Sequence, residues 1–238
     1  MMRWPIYTLI LLIMLVYAPV ARATLSIDVS SPVIKVSTGF TGASVTVFGT
    51  QDQEGALVIT LKGPQKDFTL RKKNKVFGLW TNTNSKTFTN IPSYYFLASS
   101  APLTQVTTPE ILYTNGLGVD KILGTNTDEF SQSLIRIQQE QHLFGRDDQQ
   151  ITYISPILYK TTFDLPATVI PGTYTASAFL FRNGILTEQA NTAFEVVPDG
   201  LSAQIRTFAT QHSLLYGLAS ILIALIAGWL ANALLKRE

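Results

Sequence analysis

The chain contains no cysteine. That removes a disulfide framework, cysteine-ligated zinc or iron, and thiol catalysis, and leaves any exported portion to be stabilised by packing alone. Histidine occurs only twice, at His142 and His212. There is no His-Glu-x-x-His pair for a catalytic zinc, no Gly-x-Ser-x-Gly nucleophile turn and no glycine loop of the kind that cradles phosphate. Charge is scarce as well: 14% of the residues are Asp, Glu, Lys or Arg, and the mean hydropathy is +0.21. Both values are driven by two apolar stretches at the ends. Residues 24–212 carry 14 basic and 15 acidic side chains, so the positive field that nucleic-acid binding requires is missing. Neither a nucleic-acid partner nor a cofactor is expected.

What is present begins with those two ends. Arg3 precedes an apolar run over 6–18, Pro19 breaks it, and Ala21-Arg22-Ala23 supplies a small-x-small site. This is the pattern of a cleaved signal peptide over 1–23, with Thr24 as the first mature residue. The second run, 213–235, holds 23 residues without a charge. As a helix it covers about 34 Å, enough to cross a bilayer. Tyr216 and Trp229 sit near its two ends, where amphipathic rings favour the membrane interface, and Lys236 and Arg237 follow at once. The positive-inside rule then puts the tail 236–238 in the cytoplasm and the domain outside. Ser220, Ala224 and Gly228 recur at every fourth position, a spacing that lets a second membrane helix approach closely. Small residues are also common in spanning helices generally, so the spacing alone leaves both readings open.

Between the ends the chain reads as short strands punctuated by glycine and proline. Strands are expected at 25–29, 33–37, 44–50, 56–62, 67–71, 76–81, 86–91 and 94–99. Spacing of about ten residues between turns is the pattern of a β-sandwich. The pattern changes at Thr107-Thr108-Pro109-Glu110, which offers a cap, a first-turn proline and an acid for the positive helix end. A second helix is expected with Thr127 as cap, Phe130, Leu134, Ile137 and Phe144 on one face, and Gly145 closing it. Residues 107–145 therefore form a helical insert. Strands resume at 150–153, 157–163, 172–182 and 185–197, the last two joined by Asn183-Gly184, the strongest short hairpin signal. The expected architecture is mainly β: an immunoglobulin-like sandwich over 24–199 with a helical insert, a juxtamembrane segment at 200–212 and one C-terminal transmembrane helix.

Lys62-Gly63-Pro64, Arg71-Lys72-Lys73, Gly78-Leu79-Trp80-Thr81-Asn82, Phe88 and Ile91-Pro92-Ser93-Tyr94-Tyr95 resemble the putative transmembrane protein family of alphaproteobacteria. Leu143-Phe144, Leu165-Pro166-Ala167, Pro171-Gly172-Thr173-Tyr174, Tyr216-Gly217-Leu218 and Gly228-Trp229 fit it too, so the resemblance covers nearly the whole mature chain. It implies a Gram-negative inner membrane with the domain in the periplasm, and work beside a membrane transporter. It implies no activity.

Three groups of side chains are candidates for function. Trp80, Tyr94 and Tyr95 with Asn82 can form an aromatic binding platform; Trp80 equally suits a sandwich core, while Tyr94 and Tyr95 point to opposite faces of a strand, so one of them is expected at the surface. His142 with Asp147 and Asp148 can bind a metal or move protons, or be a solvated helix end followed by turn acids. Arg71, Lys72, Lys73 and Lys75 can meet anionic headgroups or an acidic partner, or form a plain hairpin tip. The reading these support first is a non-enzymatic binding or assembly module. It sits in the bilayer beside an integral-membrane protein partner, with Trp80, Asn82, Tyr94, Tyr95, Ser220, Ala224 and Gly228 as its contact residues. The alternative is a periplasmic enzyme acting on envelope material or glycans.

Overall fold

A computed structural model describes residues 25–76, 79–124, 128–145 and 149–235. The expected signal peptide at 1–23, Thr24, Thr127, Asp147, Asp148 and the tail 236–238 lie outside the described residues, as do the side chains of Trp80 and Asn82.

Two sheets face each other. The first is four-stranded, in the order β1 (Ser26–Val29), β3 (Gly42–Thr50), β10 (Leu158–Pro166), β9 (Thr152–Tyr153). The second is six-stranded, in the order β2 (Val33–Val36), β12 (Ile185–Pro198), β11 (Gly172–Arg182), β4 (Ala56–Lys62), β7 (Tyr95–Ser99), β8 (Gln149–Gln150). Pairing is antiparallel except where β2 joins β12 and β8 joins β7. A separate two-stranded ribbon, β5 (Gln65–Val76) with β6 (Leu79–Pro92), connects β4 to β7. Three helices follow β7: α1 (Leu103–Val106), α2 (Pro109–Thr114) and α3 (Glu129–Glu140). After the sandwich come α4 (Leu201–Gln211) and α5 (Ser213–Leu235).

The mainly β class is therefore as expected, and several strands have the expected bounds, among them β4 and β11. The alternation in β10 shows why one sheet has a wet face: Tyr159, Thr161, Phe163 and Leu165 are buried, while Lys160, Thr162 and Asp164 are not. Strand β4 differs. Leu57, Val58, Ile59, Thr60 and Leu61 are all buried, because the six-stranded sheet is covered by its partner sheet on one face and by the helical insert on the other. Removing Leu57, Ile59 or Leu61 from water contributes about 1.5–3 kcal/mol each.

Asn183 and Gly184 turn β11 into β12 with φ of +49° and +79°, the left-handed pair that a two-residue hairpin demands. Three expectations fail. Three short strands over 67–91 are in fact the two long strands β5 and β6. Register shifts at Lys66/Phe68 and Lys72/Lys73 interrupt their alternation and disguise the continuity. The basic run Arg71 to Lys75 lies inside β5 and not at a tip. Helix α3 ends before Phe144: the chain leaves it through Gln141, and His142 takes φ +55°. Phe144 then bridges to Tyr95 beside β7.

Candidate functional site

Strand registers place several chain crossings at one end of the sandwich. Lys62, the last residue of β4, is opposite Thr175 near the start of β11, and Gly172 is opposite Val196 near the end of β12. The β5–β6 ribbon thus leaves the sandwich at the same end from which the chain departs toward α4 and α5.

The root of the ribbon is tightly tied. Gly63 donates its N–H to the Tyr94 carbonyl at 2.8 Å, and Ser93 donates to the Pro64 carbonyl at 2.9 Å. A Cβ on Gly63 would lie 2.8 Å from Ser93 Oγ, 2.9 Å from Tyr94 Cβ and 3.0 Å from Tyr174 Cε1, so only glycine fits without displacement. Gly172, at φ +144°, lets Pro64 pack where a side chain would stand.

Tyr94 faces the opposing sheet. Its hydroxyl donates to the Asp164 carbonyl at 3.0 Å, and its ring stacks on Phe96 at 4.7 Å. Tyr95 points the other way, donating to Gly116 O at 3.0 Å and accepting from Gly118 N at 2.8 Å, which anchors the loop after α2. The two tyrosines do take opposite faces, yet neither reaches the surface: both are 0% exposed. Each face of β7 is covered, so the expected exposed tyrosine is absent and neither ring offers area to a partner. Tyr174 closes the corner by donating to the Ile170 carbonyl at 3.0 Å. Burial pushes its hydroxyl up to about 12 and raises those of Tyr94 and Tyr159 as well, so all three are neutral donors.

Beyond the root, the ribbon is an arm. The 12 residues of β5 extend about 40 Å at ~3.4 Å per residue. Its two faces differ. Phe68 and Leu70 pack against the core, and on the same side Lys72 Nζ lies 2.8 Å from Glu129 Oε2 and Lys86 Nζ 2.7 Å from Asp128 Oδ2. Asp128 also caps α3, accepting from Ser131 N at 3.0 Å. Lys86 first, and then Ser131, hold its carboxyl down at about 2. Alternating with these residues, Thr69, Arg71, Lys73 and Lys75 are exposed. Trp80 and Asn82 are on β6, opposite Lys75 and Lys73 in register.

Two openings flank the root. One, of about 310 Å³, is lined by Lys66, Phe68, Ser93, Leu134 and Leu143. The other, of about 650 Å³, is lined by Lys62, Pro64, Tyr113, Lys121 and Thr175; there Lys62 Nζ lies 5.7 Å from the Tyr95 ring centroid, and burial lowers its pKa. His142 borders a third opening with Arg136, Glu140 and Phe144. Among the described residues no three His, Cys, Asp or Glu side chains converge to hold a metal.

Helix α5 is apolar and almost wholly exposed over its described side chains. Its stretch Ser213–Asn232 has a mean hydropathy of 2.2 with none of it buried, which makes it long and apolar enough to cross a membrane. Ser220 satisfies its hydroxyl on the Tyr216 carbonyl at 2.8 Å, and a Cβ on Gly228 would meet nothing within 4 Å. Ser220, Ala224 and Gly228 are all exposed.

A family model described as "Putative transmembrane protein (Alph_Pro_TM)" matches residues 24–237. The chain belongs to this family. Of the residues that carried the resemblance, Gly63, Pro64, Ser93, Tyr94, Tyr95, Gly172 and Tyr174 meet at the root of the arm, where they act as structure. No curated protein matches the chain. Among solved structures it is similar to the bacterial hydrophobin BslA, at 12% identity and a TM-score of 0.25, over 75% of this chain and 95% of that one. It is also similar to the sporulation control protein Spo0M from Bacillus subtilis, at 10% identity and a TM-score of 0.25, over 79% of this chain and 55% of that one. At these scores neither likeness carries an argument.

The convergence at the root was missed in sequence because its members are scattered over more than a hundred positions. The local signals were Gly63-Pro64 and Pro171-Gly172, two turns with no visible reason to meet.

Proposed function

We propose that the protein is a membrane-anchored, non-catalytic binding or assembly module. An immunoglobulin-like sandwich stands in the periplasm, and α5 crosses the inner membrane beside an integral-membrane partner such as a transporter. The observation that carries this reading is the shared end. A braced arm and the exit toward the span leave the sandwich together, so the arm is presented next to the bilayer. The strand order β1-β3-β10-β9 facing β2-β12-β11-β4-β7 supports the immunoglobulin-like reading, as does the Tyr174 corner. The buried tyrosines support a structural rather than a chemical role for the aromatic stretch. On α5, Ser220, Ala224 and Gly228 are the residues against which a partner helix would pack.

Two measurements test the reading. Because the chain has no cysteine, a single Lys160→Cys variant reports location: an impermeant maleimide added to spheroplasts labels it if the sandwich is periplasmic, and labelling only after lysis contradicts that. Crosslinking of the full chain in native membranes, followed by mass spectrometry, is expected to capture one dominant integral-membrane protein. Capture of soluble proteins alone would refute the partnership.

A further inference from the structure

The outer face of the arm has a charge pattern that its inner face explains. On the inner face Lys72 and Lys86 are matched by Glu129 and Asp128. On the outer face Arg71, Lys73 and Lys75 stand at alternate positions of one strand, all exposed, and form no ion pair among the described residues. Asp67, the acid on the same strand, is at the root, where its carboxylate accepts the Asn90 N–H at 3.0 Å. The arm thus carries three cations on one side with no ion pair among the described residues, about 24–37 Å from Pro64 at ~3.4 Å per residue. It springs from the end of the sandwich that leads to the span.

We infer that this face rests on the anionic lipid headgroups of the membrane in which α5 is anchored. Positive side chains held near an anionic surface are attracted within about a Debye length, roughly 8–10 Å at physiological salt. The span confines the domain to that surface, so even a few cations suffice to orient it. The bracing of the arm matters here. Ion pairs to α3 and the packing of Phe68 and Leu70 hold the ribbon, so little ordering has to accompany the contact. The inference rests on the membrane-anchored reading but not on any protein partner. It makes the arm a second point of attachment, fixing the tilt of the sandwich over the bilayer.

The test uses the purified full chain in nanodiscs of phosphatidylcholine alone or of phosphatidylcholine mixed with phosphatidylglycerol, which contain no other protein. Acylation of individual lysines is followed by mass spectrometry, with Lys160 on the four-stranded sheet as the internal control. Lys73 and Lys75 are expected to react several-fold more slowly in the anionic discs, with the difference abolished at high salt and Lys160 unchanged. In Arg71→Gln, Lys75 should lose part of that protection while the protein stays folded. Equal reactivity in both discs would overturn the inference. So would protection that occurs only in native membranes, since that would assign the face to an acidic protein. Failure of partner capture would leave these results untouched, so the two readings fail separately.

Discussion

Gly63 donates its backbone N–H to the carbonyl of Tyr94, and this bond joins the strand entering the arm to the strand leaving it. Thirty-one positions apart in sequence, the two residues share a space with no room for a side chain on the first. The arm is therefore fixed at its base by backbone, and its direction follows from the sandwich.

Gly63→Ala tests that contact. The added Cβ would meet Tyr94 Cβ at 2.9 Å, and overpacking of this kind costs about 1–3 kcal/mol. Denaturant titration of the full chain in detergent should show a lower midpoint with an unchanged slope. An unaltered midpoint would mean that the root is looser than the geometry indicates.

Tyr95→Phe removes a hydroxyl that serves two backbone groups, leaving the buried Gly118 N–H without its acceptor. The expected loss is about 1–3 kcal/mol. Hydrogen exchange should rise first at Gly118 and its neighbours, while the sandwich strands stay protected.

Alkaline pH should weaken the fold. Tyr94, Tyr159 and Tyr174 all have raised pKa values caused chiefly by burial. Protonated tyrosine is thus favoured in the folded state: the stability it contributes is complete below the unfolded value near 10 and is lost as pH rises through the folded values. The denaturation midpoint should fall from about pH 10 upward, and part of the phenolate absorbance should appear only together with unfolding.

The acid limb reports Asp128. Its depressed folded value, about 2, contributes stability that is present above the unfolded value near 4 and lost as pH falls toward the folded one. Asp128→Ala should lower the melting temperature at neutral pH and flatten the fall of stability between those two values. The residue also caps α3, so protease cleavage near 128 should become faster.

Much of the sandwich was legible because its signals are local. The alternation of β10 and the Asn183-Gly184 turn specify their own structure, and α5 is set by composition alone. The arm was not legible. Its bulges break the alternation at Asp67 and Thr83, so two long strands resemble three short ones. The expected cap of α3 was Thr127, whereas Asp128 caps it, and the Lys86 contact that holds Asp128 comes from a strand 42 positions away. The burial of Tyr95 depended on the insert folding back over β7, which no periodicity within that strand can indicate. Of the contact residues expected in sequence, Tyr94 and Tyr95 proved to be interior, while Ser220, Ala224 and Gly228 are exposed on α5.

Whether the protein works beside a membrane partner through its span is decided by comparing capture by the unaltered chain with capture by Gly228→Leu in native membranes. One dominant integral-membrane protein is expected to be crosslinked to the unaltered chain and lost from the variant, with both chains equally inserted. Equal capture of that protein by the two chains would contradict the proposed helix-packing face, and capture of no membrane protein by either would contradict the partnership itself.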